Sequence, residues 1–279
     1  LLLIVSWNMA AQPALPGSPH LWSLMAMLSL FFCVLNRSVN PEHQLAHVRS
    51  LTRPLVTFGL VVLVTAILTG GIGLRIFGSS AVGGRGYFYI IAAIAGFFAL
   101  SSRAIPPHRA GLYVTLFFLP GLTAMASRMA GWLGPKAGFV YYLFPGDSRM
   151  DDFIADPSTF ATEMTRVSGS AAASLAVFCW LLARYGIAGT FDFSRPWRLA
   201  LLVAALVGSM FGGYRSTLLL LSAIFLILYT LEKLWQTRLS VLLVGVGVLS
   251  MALLIGFADR LPLSVQRTLS FLPVKVDAV

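Results

Sequence analysis

Eight stretches of the chain approach the apolar length that a helix needs to cross a lipid bilayer. A spanning helix takes about 20 mostly apolar residues, and about 17 suffice when its flanks adapt. Inside the bilayer only helices or closed barrels satisfy the backbone, and these stretches lack the two-residue alternation of barrel strands. The sequence therefore predicts an all-α fold, a polytopic transmembrane helical bundle with about eight complete spans after a truncated first one. The predicted spans are 1–7 (truncated), 21–36, 55–77, 86–101, 111–130, 168–188, 199–214, 216–234 and 239–257.

The composition agrees with this interpretation. Hydrophobic residues make up 58% of the 279 residues and charged residues only 11%, against about 25% in an ordinary soluble domain. Mean hydropathy is +0.84. This balance indicates an integral membrane protein and excludes a disordered chain, a collagen-like repeat and a small disulfide scaffold. Cys33 and Cys179 both lie within apolar stretches, so we expect neither a disulfide nor a metal site.

The formal net charge of +10 comes from 20 Lys and Arg against 10 Asp and Glu. These basic residues stand singly in short loops, which favours topology signals and contacts with anionic membrane lipids over binding of nucleic acid. If the loops 37–54, 102–110, 189–198 and 235–238 share the cytoplasmic side, half of the 20 basic residues lie in or beside these short loops. The other half are spread over longer segments together with most of the acidic residues, so the positive-inside rule favours this orientation. The C-terminal end then lies on the outer side. The reverse topology stays open.

We expect one transmembrane domain over residues 1–279, with outer loops between its spans. The longest internal polar loop is 131–167, and its portion 146–167 predicts one or two amphipathic helices. Residues 259–279 begin a further outer loop. The chain opens at Leu1 inside an apolar run and stops within a polar one, so we expect it to be an incomplete fragment of a longer protein.

The most informative local feature is the sequence FGGYRS at 211–216. Arg215 stands between two apolar stretches with almost no loop, and at a bilayer centre it would cost about 3 kcal/mol on insertion scales. Gly212 and Gly213 allow close approach of backbone and ligand, and a helix beginning at Ser216 directs its N–H groups to the same place. A guanidinium beside a helix N-terminus favours a phosphate site. The alternative is a tight turn whose arginine reaches for the interface.

Other charged residues give weaker signals. Arg128, near the outer end of its predicted span, is a second candidate anion contact, with an interfacial anchor beside Trp132 as the alternative. Glu232 and Lys233 close the span 216–234, and we expect their side chains to reach the interface. No Ser/His/Asp set and no metal-ligand spacing can be assembled, so we expect no metal and no cofactor.

The FGGYRS sequence is followed by LEKLWQTR at 231–238 and by FADRLPLSVQRTLSFLP at 257–273. In this order, over residues 199–279, the chain resembles the O-antigen ligase and polymerase-like superfamily of bacterial inner-membrane proteins, which are similar to GT-C glycosyltransferases. In that superfamily a Gly/Ser-Arg element opens a helix, one further helix follows, and a large periplasmic loop begins. The resemblance implies a multi-pass protein of the bacterial inner membrane whose C-terminal end is periplasmic.

The resemblance also implies an activity. Such proteins take a glycan from undecaprenyl pyrophosphate at the periplasmic face and transfer or polymerise it in cell-surface polysaccharide biosynthesis, with a glycan, a lipid or a protein as acceptor. The implied pyrophosphate contact is Arg215. We expect Gly212, Gly213 and Ser216 to line the same site, with Arg128, Arg260 and Arg267 as further contacts. Superfamily ligases commonly use a histidine of the large loop. Since no histidine follows His108, we expect the catalytic residues beyond Val279.

Two other classes of protein stay open. A transporter or flippase for an anionic solute or a lipid-linked glycan would line its pathway with the same arginines. Such a protein often carries broken helices in symmetry-related halves, and the sequence shows no internal repeat of that kind. A noncatalytic assembly partner in envelope biogenesis would show no arginine-dependent activity.

Overall fold

The computed structural model describes residues 1–13, 15, 18–39, 49–69, 84–102, 105–133, 135–145, 167, 169–256 and 265–266. Over these residues the predicted all-α fold is confirmed, and the regular structure consists of helices joined by turns. The α-helices are α1 Leu2–Ser6, α2 Leu21–Val39, α3 Arg49–Leu68, α4 Gly84–Ser101, α5 Ala110–Phe118, α6 Ala126–Leu133, α7 Val140–Leu143, α8 Ser170–Thr190, α9 Pro196–Phe211, α10 Arg215–Leu231 and α11 Arg238–Gly256.

Four helical stretches in the described part are long and apolar enough to cross a membrane: Leu21–Val39, Ser50–Leu68, Pro107–Ala130 and Ser170–Thr190. Three shorter helices are also apolar: Gly86–Ser101, Pro196–Phe211 and Arg215–Leu231. These helices indicate a multi-pass membrane protein. A helix overlaps each predicted span, including the 1–7 stretch at α1.

Two predicted spans differ from the observed helices at a proline, although the predicted span 111–130 lies within the helical stretch Pro107–Ala130. The span expected at 55–77 already begins at Arg49 and continues through Pro54. A proline there removes one hydrogen bond near the helix start, where several N–H groups already lack an intrahelical acceptor. The span expected at 111–130 is interrupted by a 3₁₀ segment, Leu119–Met125, which contains Pro120. Tighter 3₁₀ turns accommodate the missing donor.

The chain divides into two compact units, which are described separately. The first comprises Leu1–Pro120 and Gly138–Pro145, and the second comprises Gly121–Ala137 and Gly146–Val279. In the first unit α4 packs against both α2 and α3, and α1 packs against α2. Gly96 of α4 leaves room for the Trp7 ring, where a Cβ would collide. Trp7 in turn lies 5.4 Å from Trp22, measured between ring centroids.

The second unit is built around α8, α9 and α10, which run up, down and up through short connections. Helices α8 and α9 pack most extensively, and α10 lies against α8. Apolar side chains of all three helices and of the following 3₁₀ turn form its core. These core residues are Phe178, Leu181, Leu182, Ile187, Leu202, Ala205, Leu221 and Leu234. The order of the helices places the start of α8, the end of α9 and the start of α10 at one end, which we call the Arg215 end.

Candidate functional site

The turn between α9 and α10 requires glycine at two positions, 212 and 213. Gly213 has φ of +69°, a left-handed conformation that glycine adopts without a steric penalty. Gly212 is buried, and a Cβ there would lie 2.6 Å from the Cβ of Ala171 in the first turn of α8. Glycine at 212 therefore lets two helix ends approach each other, and glycine at 213 lets the chain reverse.

Arg215 and Ser216 open α10 directly after this turn, and both side chains are exposed. Tyr214, in an extended conformation, is the N-cap residue and makes no side-chain capping bond. The helix thus starts one residue earlier than predicted, so that Arg215 belongs to its first turn. A cation in the first turn faces the positive end of the helix dipole, which is unfavourable unless an anion lies nearby.

The start of α8 adjoins the same turn. The Val167 amide donates a hydrogen bond of 3.0 Å to the Phe211 carbonyl, and the Ser170 hydroxyl donates one of 2.8 Å to the Val167 carbonyl. Gly169, with φ of +79°, directs the chain into α8. The N-termini of α8 and α10 therefore lie side by side, and the positive ends of two helix dipoles meet there.

A third segment reaches this end of the unit and carries Arg128. Gly169 packs so closely against the Ala124 carbonyl that a Cβ would collide with it. Arg128 follows one helical turn later in α6, and its Nε atom is buried. The segments that carry Arg128 and Arg215 thus both contact residues 169–171. The structure brings these two predicted anion contacts to the same end of the second unit.

The remaining candidates fall elsewhere. Arg260 and Arg267, predicted as further pyrophosphate contacts, lie outside the described residues, as does most of the loop 131–167 beyond residue 145. In the predicted loop 259–279 the structure describes Val265 and Gln266, both buried. Within the described ranges no three metal-ligating side chains converge.

At the opposite end of the same helices, Glu232 makes a contact that the sequence analysis missed. Its carboxylate accepts hydrogen bonds from the amides of Ile187, at 2.9 Å, and Ala188, at 3.3 Å. These amides follow Gly186, where α8 breaks with φ of 67° and ψ of 179°. Whether Glu232 reaches the interface stays a prediction; the structure adds that the break in α8 offers its carboxylate two donors.

Arg198, predicted only as a loop charge, is also drawn into this end and is 6% exposed. Its Nη1 donates a hydrogen bond of 2.7 Å to the Gly189 carbonyl, and its guanidinium carbon lies 3.9 Å from the Tyr185 ring centroid. Nearby, hydrogen bonds from the Ser194 hydroxyl and amide lower the pKa of the half-buried Asp192 carboxyl, with smaller contributions from Arg198 and Arg195. The sequence ARYGIAGT at 183–190 could have indicated this cluster, because Gly186 favours a break in the helix.

The chain was compared with protein-family models, with curated proteins and with solved structures. No protein-family model matches it, and neither the curated proteins nor the solved structures contain a match. The resemblance of residues 199–279 to O-antigen ligases therefore stays a prediction.

Proposed function

We propose that this chain transfers or polymerises oligosaccharide from undecaprenyl pyrophosphate at the periplasmic face of a bacterial inner membrane, as a glycosyltransferase of the O-antigen ligase or polymerase type. In this proposal the protein crosses the membrane about eight times, and residues 259–279 lie on the periplasmic side. The observation that carries the proposal is Arg215, an exposed arginine in the first turn of an apolar helix, beside the start of a second helix.

The electrostatics of the Arg215 end favour a diphosphate ligand. Two helix N-termini and the guanidinium of Arg215 provide positive charge and N–H donors, and Arg128 lies one turn after the Ala124 carbonyl that packs against Gly169. A guanidinium can bind two phosphate oxygens at once, which a lysine ammonium cannot do in the same geometry. Near the membrane surface, where water is depleted, such fixed charges act more strongly than in bulk water.

In the proposed reaction an acceptor hydroxyl attacks the anomeric carbon of the donor sugar. A new glycosidic bond forms, the bond from that carbon to the pyrophosphate oxygen breaks, and the acceptor proton passes to a base that we do not assign. Negative charge develops on the departing pyrophosphate. Arg215, supported by Arg128, stabilises that charge, so these side chains accelerate the step by favouring its transition state.

The test uses the complete protein, with any residues that flank 1–279, in liposomes with a lipid-linked oligosaccharide and a glycan acceptor. We expect Arg215→Ala to lower transfer by roughly 100-fold or more, and Arg215→Lys to retain part of the activity because the charge remains. Arg184→Ala is the matched control, since Arg184 is exposed near the far end of α8. Transfer by Arg215→Ala at the wild-type rate would refute the proposal.

The same preparation separates the proposal from its rivals. Movement of labelled donor across the bilayer that depends on Arg215, without transfer to acceptor, would indicate a transporter or flippase. If the protein shows neither transfer nor transport, the remaining class is a noncatalytic assembly partner.

A further inference from the structure

The Glu232 carboxylate joins two helices at the end of the second unit that lies away from Arg215. It belongs to the C-cap residue of α10, and both of its donors belong to α8. Each carboxylate oxygen accepts one hydrogen bond: Oε1 from the Ile187 amide and Oε2 from the Ala188 amide. A single side chain therefore bridges residues 45 positions apart in the sequence.

The break at Gly186 creates the need for this carboxylate. Ile187 is fully buried, so its amide would lack an acceptor without Glu232. A Cβ at position 186 would lie 2.7 Å from Oε1 of Glu232, and the positive φ of Gly186 already disfavours other residues. The break and the carboxylate thus fit each other closely, and we call this pair of hydrogen bonds the Glu232 clamp.

Apolar packing alone fixes the position of α10 along its axis only weakly. All side chains of α10 are described, and among them only Leu221 is buried. Leu218, Phe225 and Leu228 pack partly against the core, while residues such as Leu219 are exposed. In a bilayer, lipid tails compete with these contacts because they are as apolar as leucine. A helix that slips by one turn moves about 5.4 Å and would exchange one leucine contact for another.

We propose that Glu232 is a positioning residue that fixes the axial register of α10 and thereby places Arg215. The helix has 17 residues, so the clamp lies about 25 Å from Arg215. Because the helix is stiff, fixing its C-terminal end also fixes the position of Arg215 along the axis. Hydrogen bonds to a carboxylate are directional and strong where water is scarce, which makes the clamp a sharper determinant of register than the leucine stripe. The turn at Gly212 then joins α9 to α10 in the register that the clamp fixes.

This inference deepens the proposed function, because it concerns the same arginine, but its first test does not depend on any activity. Hydrogen–deuterium exchange of the full chain in lipid nanodiscs is compared for wild type, Glu232→Ala and Glu232→Gln. Leu231→Ala is the matched control, since this neighbouring side chain is 71% exposed. Glutamine keeps one acceptor oxygen and places a donor group where the second was, so it retains part of the clamp.

We expect Glu232→Ala to accelerate exchange both at residues 187–188 and at residues 213–218 of the distant turn, with Glu232→Gln in between and Leu231→Ala unchanged. Faster exchange at 187–188 alone would overturn the positioning role, because the two ends would then be independent. The second readout is the affinity for a lipid-linked pyrophosphate donor, which we expect Glu232→Ala to weaken about tenfold. If wild type binds no donor while exchange at both ends responds, the proposed function fails and the positioning role of Glu232 stands.

Discussion

Replacing Arg198 with alanine removes a buried guanidinium together with its contacts to the Gly189 carbonyl and the Tyr185 ring. The hydrogen bond to the Gly189 carbonyl comes from a charged donor and contributes about 1.5–3 kcal/mol. Stacking on the Tyr185 ring, at 3.9 Å, adds about 1–2 kcal/mol at a desolvated site. The variant also avoids the cost of desolvating the guanidinium, which offsets part of the loss. We therefore expect a net loss of about 2–3 kcal/mol, or roughly 30- to 160-fold in the unfolding equilibrium.

The assay is reversible unfolding in mixed lipid–detergent micelles at increasing SDS, followed by tryptophan fluorescence. Arg195→Ala is the matched control, because Arg195 is exposed and is the N-cap residue of α9, three residues before Arg198. We expect it to remain within about 0.5 kcal/mol of wild type. Arg198→Lys keeps the charge but loses the planar stack, so it should fall between the two. Equal unfolding free energies for Arg198→Ala and Arg195→Ala would refute the assignment of stabilising energy to the buried guanidinium.

Two further predictions use the same assay. Gly212→Ala places a Cβ 2.6 Å from that of Ala171 and should destabilise the chain by about 1–3 kcal/mol, with partial recovery when Ala171→Gly is added. Gly208→Ala is its control, since the Cβ there meets only the rotatable hydroxyl of Ser174 at 2.5 Å; similar losses for both variants would contradict the packing argument. For Asp192 the lowered carboxyl pKa predicts a stabilisation that is present above the unfolded pKa of about 3.9 and is lost as the pH falls through the folded value. Wild type and Asp192→Asn should therefore differ near neutral pH and converge in acid, whereas a difference that persists below the folded pKa would show that this carboxyl does not carry it.

The helices themselves could be predicted from the sequence because apolar length is a local property. A stretch of about 20 apolar residues must satisfy its backbone internally wherever it lies in a bilayer, and this requirement does not depend on neighbours. The exact ends of the helices also depend on tertiary packing. At Pro54 and Pro120 the sequence signals an interruption, but packing decides whether the helix continues or tightens into 3₁₀ turns.

The candidate site was predictable in part for the same reason. Arg215 stands between two apolar stretches after two glycines, so the start of a helix within one residue of this arginine follows from the local pattern. The neighbours of the turn do not follow from it. That Gly212 meets Ala171, and that Gly169 meets the Ala124 carbonyl, depends on which helices face each other. Runs of leucine and alanine carry little information about that choice, because they pack almost equally well against many partners and against lipid.

The sequence by itself determined that this chain is helical and apolar, and that its charges stand at the ends of helices. Only the tertiary structure decided what those charges do. Glu232 and Arg198 look alike in the sequence, as isolated charges beside apolar stretches, yet one caps the break at Gly186 and the other stacks on Tyr185. A charged side chain is buried only where donors, acceptors or an aromatic face compensate for its lost hydration. The fold brings such partners together from distant parts of the chain.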